Sequence, residues 1–314
     1  MHDDEQDRPD QQAEPGWRDR LRAWWHGEQG FGPKVEDFRS AAETPAEPEP
    51  PKPSDEPDIA TWSPRRQQIV QLLFGEGLHQ PGGEALIRAL TAPLALNPNM
   101  SVTELGCGMG GMTRLLAREG IWVDAYEPDE ALSEAALALA RKEGIKQRTN
   151  IKHALLDDVQ FKRRSLDAVL SKEGLMGVQD KRLLLAKLRA AMKPGGQLMF
   201  TDFLLTGPEG SRVYEVWMER EPVKPVLLSP DDLQSELETL GFTVMYLEDV
   251  TDEYKSAVLD AFARYAADIK LRASSVEESE RDWVIAEGEH WAIRISAMDA
   301  RIIRLYRCFC RVND

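Results

Sequence analysis

The sequence predicts an α/β protein with a parallel sheet between two layers of helices, and three observations carry this prediction. Over residues 99–205, short apolar and β-branched runs alternate with helical patterns, as they do in chains built from βαβ units. The run at 101–105 breaks into a loop with glycines at four of the next six positions. The stretch MKPGGQLMFTD at 192–202 is typical of a helix end, a glycine turn and a following strand.

Five strands are predicted in this half of the chain, each a β-branched or apolar run that ends at a polar or glycine-containing turn. The helix after the glycine loop follows from Met112, Leu115 and Leu116, which repeat at helical spacing. The helix Asp180–Met192 is expected to end where Pro194 and two glycines cannot continue it. The predicted strands lie near residues 101–105, 122–126, 150–154, 166–170 and 197–204.

The segments on either side are mainly helical by the same criteria. Apolar residues recur at helical spacing within 59–98. Ligands of open α/β sheets bind outside the carboxyl ends of the strands, so we expect helical segments at 206–235 and 252–299 to cover that edge. The elements predicted after residue 205 also include a helix at Ser229–Leu240 and strands at Phe242–Leu247 and Ile302–Val312.

Composition divides the chain near residue 58. The first 60 residues contain 16 acidic and 7 basic residues, a net charge of −9 out of −15 for the 314-residue chain, and six prolines cluster between 45 and 57. Such a composition is typical of disorder. We therefore expect a tail at 1–58 and one domain at 59–314. Within that domain we expect a helical lid at 59–98, a cofactor-binding half at 99–205, and substrate-side helices and strands at 206–314.

One segment of the tail has a helical pattern of its own. Trp17, Leu21, Trp24 and Trp25 fall on one face of a short helix, with arginines beside them. Such a helix folds back on its own domain, docks in the groove of a protein partner, or lies at a membrane interface. The sequence leaves these alternatives open.

The composition argues against several classes of protein. A chain with a net charge of −15 lacks the positive surface that nucleic acids require. No apolar run approaches the ~20 residues of a membrane span, and the start MHDDEQDRPD has no feature of a secretory signal. Cys308 and Cys310, two of three cysteines, are expected to be core thiols. We therefore expect a cytoplasmic protein that binds neither nucleic acid nor metal.

The glycine loop indicates a nucleotide site. Gly106, Gly108 and Gly110 allow a left-handed backbone and the close approach of a ligand to a helix N-terminus. Glu127 ends the second strand about 20 residues beyond the loop, where an acid accepts hydrogen bonds from both hydroxyls of a ribose. The spacing also fits the dinucleotide motif GxGxxG. A loop whose glycines merely join a strand to a helix is the other alternative.

Four stretches together narrow this choice: FGEGLHQPGG at 74–83, ELGCGMGG at 104–111, SKEGLMGVQDK at 171–181 and KPGGQLMFTD at 193–202. They resemble the class I S-adenosylmethionine-dependent methyltransferases, in particular the small-molecule phosphoethanolamine and sarcosine/dimethylglycine N-methyltransferases, and the similarity extends over 62–312. The resemblance implies a seven-stranded, Rossmann-like sheet with an antiparallel last strand and an added helical cover. It also implies S-adenosylmethionine as cofactor and methyl transfer to a small-molecule amine or related nucleophile.

The resemblance implies roles for single residues as well. Leu155 stands where the family has an adenine-contacting acid, and Asp157 is the candidate acid that follows it. The other implied cofactor-binding residues are Glu104, Gly106, Gly108 and Gly110 at the methionine part, Glu127 at the ribose, and Ser171 and Lys172 beside the sulfonium.

The acceptor side has two candidate residues. An amine must lose its proton before it attacks, so a base assists the reaction. Glu173, directly after a strand, and His79, in the loop expected to cover the site, are candidates, with a solvated surface acid and a surface-loop histidine as the alternatives. Gly177 stands where the family has a catalytic histidine, and the family's tyrosine before the FG loop is missing. A cofactor-binding protein that acts through a partner without catalysis, and a protein methyltransferase, therefore stay open as alternatives.

Overall fold

Seven strands form one mixed sheet. A computed structural model describes residues 57–272 and 277–313. The strands are β1 (Ser101–Leu105), β2 (Trp122–Glu127), β3 (Thr149–His153), β4 (Leu166–Lys172), β5 (Met192–Leu205), β6 (Phe242–Asp249) and β7 (Ile303–Val312). They lie in the order β3-β2-β1-β4-β5-β7-β6. The pairs among β1 to β5 are parallel, whereas β7 is antiparallel to both of its neighbours.

Helices pack on this sheet and above its carboxyl edge. Capping residues define several helix starts: the Asp180 side chain accepts a hydrogen bond from Leu183 N, and the Ser229 side chain accepts one from Asp232 N. The described α-helices are α1 (Pro64–Phe74), α2 (Gly83–Thr91), α3 (Gly111–Arg118), α4 (Glu130–Lys142), α5 (Lys181–Ala191), α6 (Arg212–Arg220), α7 (Pro230–Thr239), α8 (Thr251–Arg272) and α9 (Glu278–Asp299).

The core lies on both faces of the sheet, and a further apolar cluster lies under the covering helices. Phe203 of β5 packs there with Trp217 of α6, Tyr254 of α8 and Trp291 of α9. These three helices come from the segment after residue 205, and α1, at the start of the domain, adds Phe74 to the same cluster. The covering layer is therefore held to the sheet by burial of large aromatic side chains.

The predicted fold class is confirmed, and the start of β5 differs from the prediction. β5 begins at Met192 rather than near 197, because Met192 pairs with Leu166 on β4 ahead of an irregularity in that ladder. The helical stretch across 252–299 consists of two helices, α8 and α9. The predicted helix at Trp17, Leu21, Trp24 and Trp25 and the proline-rich segment lie outside the described residues.

Candidate active site

A cavity of about 410 Å³ lies outside the carboxyl ends of β1, β2 and β4. Its floor comes from residues at the ends of these strands or directly after them, among them Gly106, Glu127 and Glu173. Its walls come from α1, the loop that contains His79, the turn after α6, and α9. Such a cavity lies where open α/β sheets bind their ligands.

Glu127 is fixed at the end of β2 by the glycine loop. Its Oε2 accepts a hydrogen bond of 2.6 Å from Gly108 N, and its Oε1 accepts one of 3.0 Å from Asp129 N. Burial raises the pKa of Glu127 to about 7, although the two backbone donors lower it. The carboxyl group is thus held at the cavity floor, where a hydroxyl donor would favour its charged form.

The glycines of the loop lie too close to other groups to carry side chains. A Cβ at Gly108, which has φ +54°, would be 1.9 Å from Cε1 of His79. A Cβ at Gly106, which has φ +70°, would be 2.4 Å from the Cα of Gly174. Gly110 directly precedes α3 in a left-handed conformation. This loop is a narrow backbone cradle of the kind that a nucleotide cofactor needs.

Glu104 lies beneath the same loop. It is buried on β1, its Oε2 accepts a hydrogen bond from the Thr113 hydroxyl, and burial raises its pKa to about 8. Together with Lys172 and Gly106 it lines a small space beside the main cavity. The predicted contact of Glu104 with the methionine part of the cofactor stays a prediction.

The structure gives Ser171 and Lys172 different environments. Ser171 is fully buried, and its hydroxyl donates to Leu105 O at 2.8 Å, which ties the ends of β4 and β1 together. The Lys172 ammonium donates to Glu173 Oε1 at 2.9 Å and to Gln80 Oε1 at 3.2 Å. The predicted contacts of both residues with the cofactor stay predictions, and Ser171 has a structural role besides.

Leu155 and Asp157 follow β3 at the cavity rim. Leu155 is 58% exposed, unusual for a leucine, and both residues line the cavity. The Asp157 carboxylate accepts hydrogen bonds from the backbone N–H groups of Gln179 and Asp180, at 3.0–3.2 Å. Asp157 therefore shapes the loop that follows Gly177, and its predicted contact with the cofactor stays a prediction.

Glu173 is a buried acid in an unusual backbone conformation. Its φ of +60° lies in the left-handed region, which disfavours residues other than glycine. Its backbone N–H donates to the backbone and side-chain oxygens of Thr201 at 3.0 and 3.1 Å, and these bonds hold the turn. The interpretation of Glu173 as a solvated surface acid is therefore wrong, since its side chain is buried at the cavity.

Tyr254 of α8 is a partner of Glu173 that the sequence analysis did not identify. Its hydroxyl donates to Glu173 Oε2 at 2.5 Å. Burial and the neighbouring Glu173 carboxylate raise the pKa of Tyr254 well above its usual value, so the phenol keeps its proton. Both carboxylate oxygens of Glu173 are thus hydrogen-bonded, one to Tyr254 and one to Lys172.

His79 lies in the cavity wall rather than on the surface. Its ring contacts Trp62 edge to face at 5.3 Å between centroids. Burial, together with the charges of Lys172 and Arg66, lowers its pKa to about 3. A neutral imidazole of this kind is a weak base, so its predicted catalytic role has less support than that of Glu173.

Two ion pairs in the cavity walls were also absent from the sequence-based prediction. Arg294 pairs with Glu221, and Arg66 pairs with Glu287; all four line the cavity. A signal was present in α9, where Glu287, His290 and Arg294 fall on one helical face, at positions where a core helix carries apolar residues.

Gly177 also lines the cavity. A Cβ there would be 2.4 Å from Cγ1 of Val223, so no larger side chain fits without a shift of the turn after α6. In the structure as it stands, the position that corresponds to the family's histidine has no space for one.

Within 57–272 and 277–313, no group of three or more His, Cys, Asp or Glu residues could hold a metal ion. Cys308 and Cys310 are buried on β7 with sulfur atoms 3.4 Å apart, as expected for core thiols. No helix within the same described residues is long and apolar enough to cross a membrane.

The strand order, with β7 antiparallel to its neighbours, defines a class I methyltransferase fold. The glycine loop beside Glu127 lies at the carboxyl edge of the sheet, where this fold is expected to bind its cofactor. Residues 79–247 match the family described as "Methyltransferase domain", and the chain belongs to that family.

Comparison with known proteins agrees with this assignment. Phosphoethanolamine N-methyltransferase 3 of Arabidopsis thaliana is 25% identical over 58% of this chain and 36% of its own length. Dimethylglycine N-methyltransferase of Parasynechococcus marenigrum is 27% identical over 57% of this chain and 62% of its own length. The match therefore spans little more than a third of the Arabidopsis enzyme.

A solved structure has the same fold. Phosphoethanolamine N-methyltransferase 2 of Haemonchus contortus, in complex with S-adenosyl-L-methionine, superposes with a TM-score of 0.70 at 18% identity. The superposition covers 79% of this chain and 56% of the Haemonchus chain.

Proposed function

We propose that this protein transfers a methyl group from S-adenosylmethionine to a small-molecule amine. The observation that carries the proposal is one cavity lined by both Glu127, at the end of β2, and Glu173, directly after β4. Only β1 lies between these strands. Since neighbouring strands are about 5 Å apart, the two carboxyl groups start from backbone positions roughly 10 Å apart. This separation leaves space for a nucleoside at one acid and an acceptor at the other.

The residues present fit the cofactor. Glu127 would accept hydrogen bonds from the ribose hydroxyls of the cofactor. The glycine loop at Gly106 and Gly108 would surround the methionine part of the cofactor, with Glu104 beneath this loop. S-adenosylmethionine, when bound, supplies a methyl group that is activated by a positively charged sulfur. The chain therefore needs mainly to orient the acceptor and to exclude water.

Glu173 is placed to handle the proton of the acceptor. An ammonium group that lies in the cavity meets the Glu173 carboxylate at its floor, donates a hydrogen bond to it and gives up a proton to it. The nitrogen lone pair is then free to attack. Tyr254 and Lys172 hold the two oxygens of this carboxylate in a fixed orientation.

A transfer assay tests the proposal. Methyl-labelled S-adenosylmethionine is incubated with the full chain and a panel of primary, secondary and tertiary amines, and label is expected in a low-mass product. Glu173→Gln should lower kcat about 100-fold and leave the affinity for S-adenosylhomocysteine unchanged. Glu238→Gln, on the exposed side of α7, is the matched control. Label in protein would assign a modifying enzyme instead. Tight cofactor binding without transfer to any acceptor would support a non-catalytic binding protein.

The proposal also covers the cellular location of the enzyme and the role of residues 1–58. We place the enzyme in the cytoplasm, on the basis of its cysteine content and its acidic composition. For the segment that contains Trp17, Leu21, Trp24 and Trp25 we propose a contact with a protein partner or a membrane, the alternative being that it folds back on its own domain. Deletion of residues 1–58 should remove co-sedimentation with that partner and leave cofactor binding intact, because every proposed cofactor residue lies beyond residue 100. Loss of cofactor binding on deletion would contradict the domain boundary.

A further inference from the structure

The two arginines that line the cavity are each paired with a buried glutamate. Arg294 Nε and Nη2 donate to the two carboxylate oxygens of Glu221 at 2.8 and 2.6 Å. Arg66 Nε donates to Glu287 Oε1 at 2.5 Å. Both glutamate side chains are 1% exposed. Paired and desolvated in this way, the guanidinium charges are neutralised inside the cavity wall.

Further contacts hold these arginines in place. The Trp217 indole donates to Glu221 Oε1 at 2.6 Å, and the Arg294 guanidinium lies 4.7 Å from the Trp291 ring centroid. The Arg66 guanidinium lies 3.8 Å from the Trp62 ring centroid and donates also to the Ile59 carbonyl. An anion in the cavity would have to compete with all of these partners for either arginine.

Lys172 and the two histidines of the cavity wall also carry no available positive charge. The Lys172 ammonium is paired with Glu173. Burial lowers the pKa of His79 to about 3 and that of His290 to about 4, so both rings are neutral at pH 7. A phosphate or carboxylate on the acceptor would therefore find no unpaired cation among the described residues of the wall.

Acidic groups are in excess at the same surface. Six carboxyl groups line the cavity against two guanidinium groups. Two of the six are paired with Arg66 and Arg294, and Glu173 is paired with Lys172, so Asp129, Asp157 and Glu127 carry the excess negative charge. An anion among these groups would be repelled, while an ammonium would be attracted.

We infer that the methyl acceptor is an amine whose ammonium is its only charge, without a phosphate or carboxylate. The paired arginines exclude the anionic group, and the residual carboxylates bind the cation. The inference rests on the proposed amine methylation and deepens it. It separates this chain from relatives that are named for phosphoethanolamine and dimethylglycine.

Three matched acceptors test the inference: N-methylethanolamine, its phosphate ester, and sarcosine. They share a secondary amine and differ in the anionic group. We expect kcat/KM for N-methylethanolamine to exceed that for either anionic amine by at least about tenfold, since like-charge contacts in a cavity are strongly unfavourable. The same order is expected for binding to the complex with S-adenosylhomocysteine, measured by calorimetry. This second readout does not depend on turnover.

Variants then test the role of the ion pairs. Glu221→Gln and Glu287→Gln each release an arginine, so each should shift the ratio of affinities toward the phosphate ester by about fivefold or more. Glu248→Gln breaks an exposed pair with Arg307 on β6 and β7, and should leave the ratio unchanged. Each variant is judged by the ratio of two affinities, and the two variants break different ion pairs. Poor folding of one variant therefore leaves the other as a test.

These experiments distinguish failure of the inference about the acceptor from failure of the proposed amine methylation. Methylation or binding that favours the phosphate ester or sarcosine would overturn the inference and leave amine methylation intact. If no amine is methylated, the proposed function fails, and the calorimetric order of the three amines still decides the inference. Equal binding of all three would also overturn it.

Discussion

The hydroxyl of Tyr254 on α8 donates a hydrogen bond of 2.5 Å to Glu173, the residue that directly follows β4. This bond joins the covering helices to the floor of the cavity, across 81 positions of sequence. Tyr254 also packs edge to face on Phe203 of β5, with ring centroids 5.9 Å apart. The acid proposed to receive the acceptor's proton is thus oriented by the same helix that encloses it.

Removal of this bond should affect catalysis more than cofactor binding. Tyr254→Phe keeps the aromatic packing and leaves one oxygen of a buried carboxylate without its partner, at a cost of about 1–3 kcal/mol. We expect kcat for the preferred amine to fall at least about tenfold, with an altered pH–rate profile. Affinity for S-adenosylhomocysteine should stay within about twofold of wild type. Tyr246→Phe, which removes a weak contact of 3.9 Å between the Tyr246 hydroxyl and the sulfur of Met199, is the control. A purely structural role would lower the melting temperature without a change in the pH profile.

Loss of the Glu127 carboxylate should weaken cofactor binding. Hydrogen bonds to charged acceptors contribute about 2 kcal/mol, so Glu127→Ala should raise the Kd for S-adenosylhomocysteine about 30-fold. Circular dichroism should show an intact fold. Glu119→Ala, which removes an exposed partner of Arg88, should leave Kd unchanged. An unchanged Kd for Glu127→Ala would refute the assignment of the ribose site.

A side chain at Gly108 should block the cradle. Gly108→Ala places a methyl group into the His79 ring in a left-handed backbone conformation, and Gly108→Val adds further bulk. We expect at least about tenfold weaker cofactor binding for alanine and no measurable binding for valine. Gly144→Ala is a close control, because Gly144 has φ +71° with nothing within 4 Å of an added Cβ. It carries the same backbone strain without the contact. Equal losses in both alanine variants would assign the effect to strain alone.

The stability of the empty protein should fall between pH 6.5 and 8. Burial raises the pKa of Glu104 to about 8, above its value of 4.5 in the unfolded chain. Over this interval the folded state retains a proton that the unfolded state has lost, so stability decreases as the pH rises. Glu127, whose pKa burial raises to about 7, adds a smaller loss of the same sign. The buried histidines have lowered pKa values and act only below about pH 6.5.

The expected loss from Glu104 is about 2 kcal/mol over 1.5 pH units. It should appear as a lower melting temperature at pH 8 in differential scanning calorimetry. Glu104→Gln should reduce this decline. A decline of equal size in that variant would show that other groups cause it.

The sequence predicts those elements whose residue pattern lies within one short segment of the chain. The glycine loop and Glu127 lie about 20 residues apart on consecutive strands, and their positions follow from strand periodicity and glycine spacing. The antiparallel last strand followed from family resemblance. The start of β5 differed because its pairing with Leu166 depends on a neighbouring strand.

The helical face shared by Glu287, His290 and Arg294 marks one side of α9 as unusual, but no local pattern reveals which residues these side chains meet. Arg294 meets Glu221 across 73 positions, and Arg66 meets Glu287 across 221. Each residue by itself has the appearance of an ordinary charged position on a helix or turn. Glu173 was chosen because it follows a strand, but its left-handed backbone and its bond to Tyr254 required the three-dimensional structure.

The position of β7 has a consequence for synthesis and folding. Among the described residues β7 is the last strand in chain order, yet it lies between β5 and β6 and supplies hydrogen bonds to both. On the ribosome, β5 and β6 emerge first and each presents an unpaired edge until β7 follows. Such edges favour aggregation, and their closure depends on contacts over a long sequence separation. The sheet is therefore completed only after translation has passed residue 312, and a nascent chain halted before that point would expose both edges to chaperones.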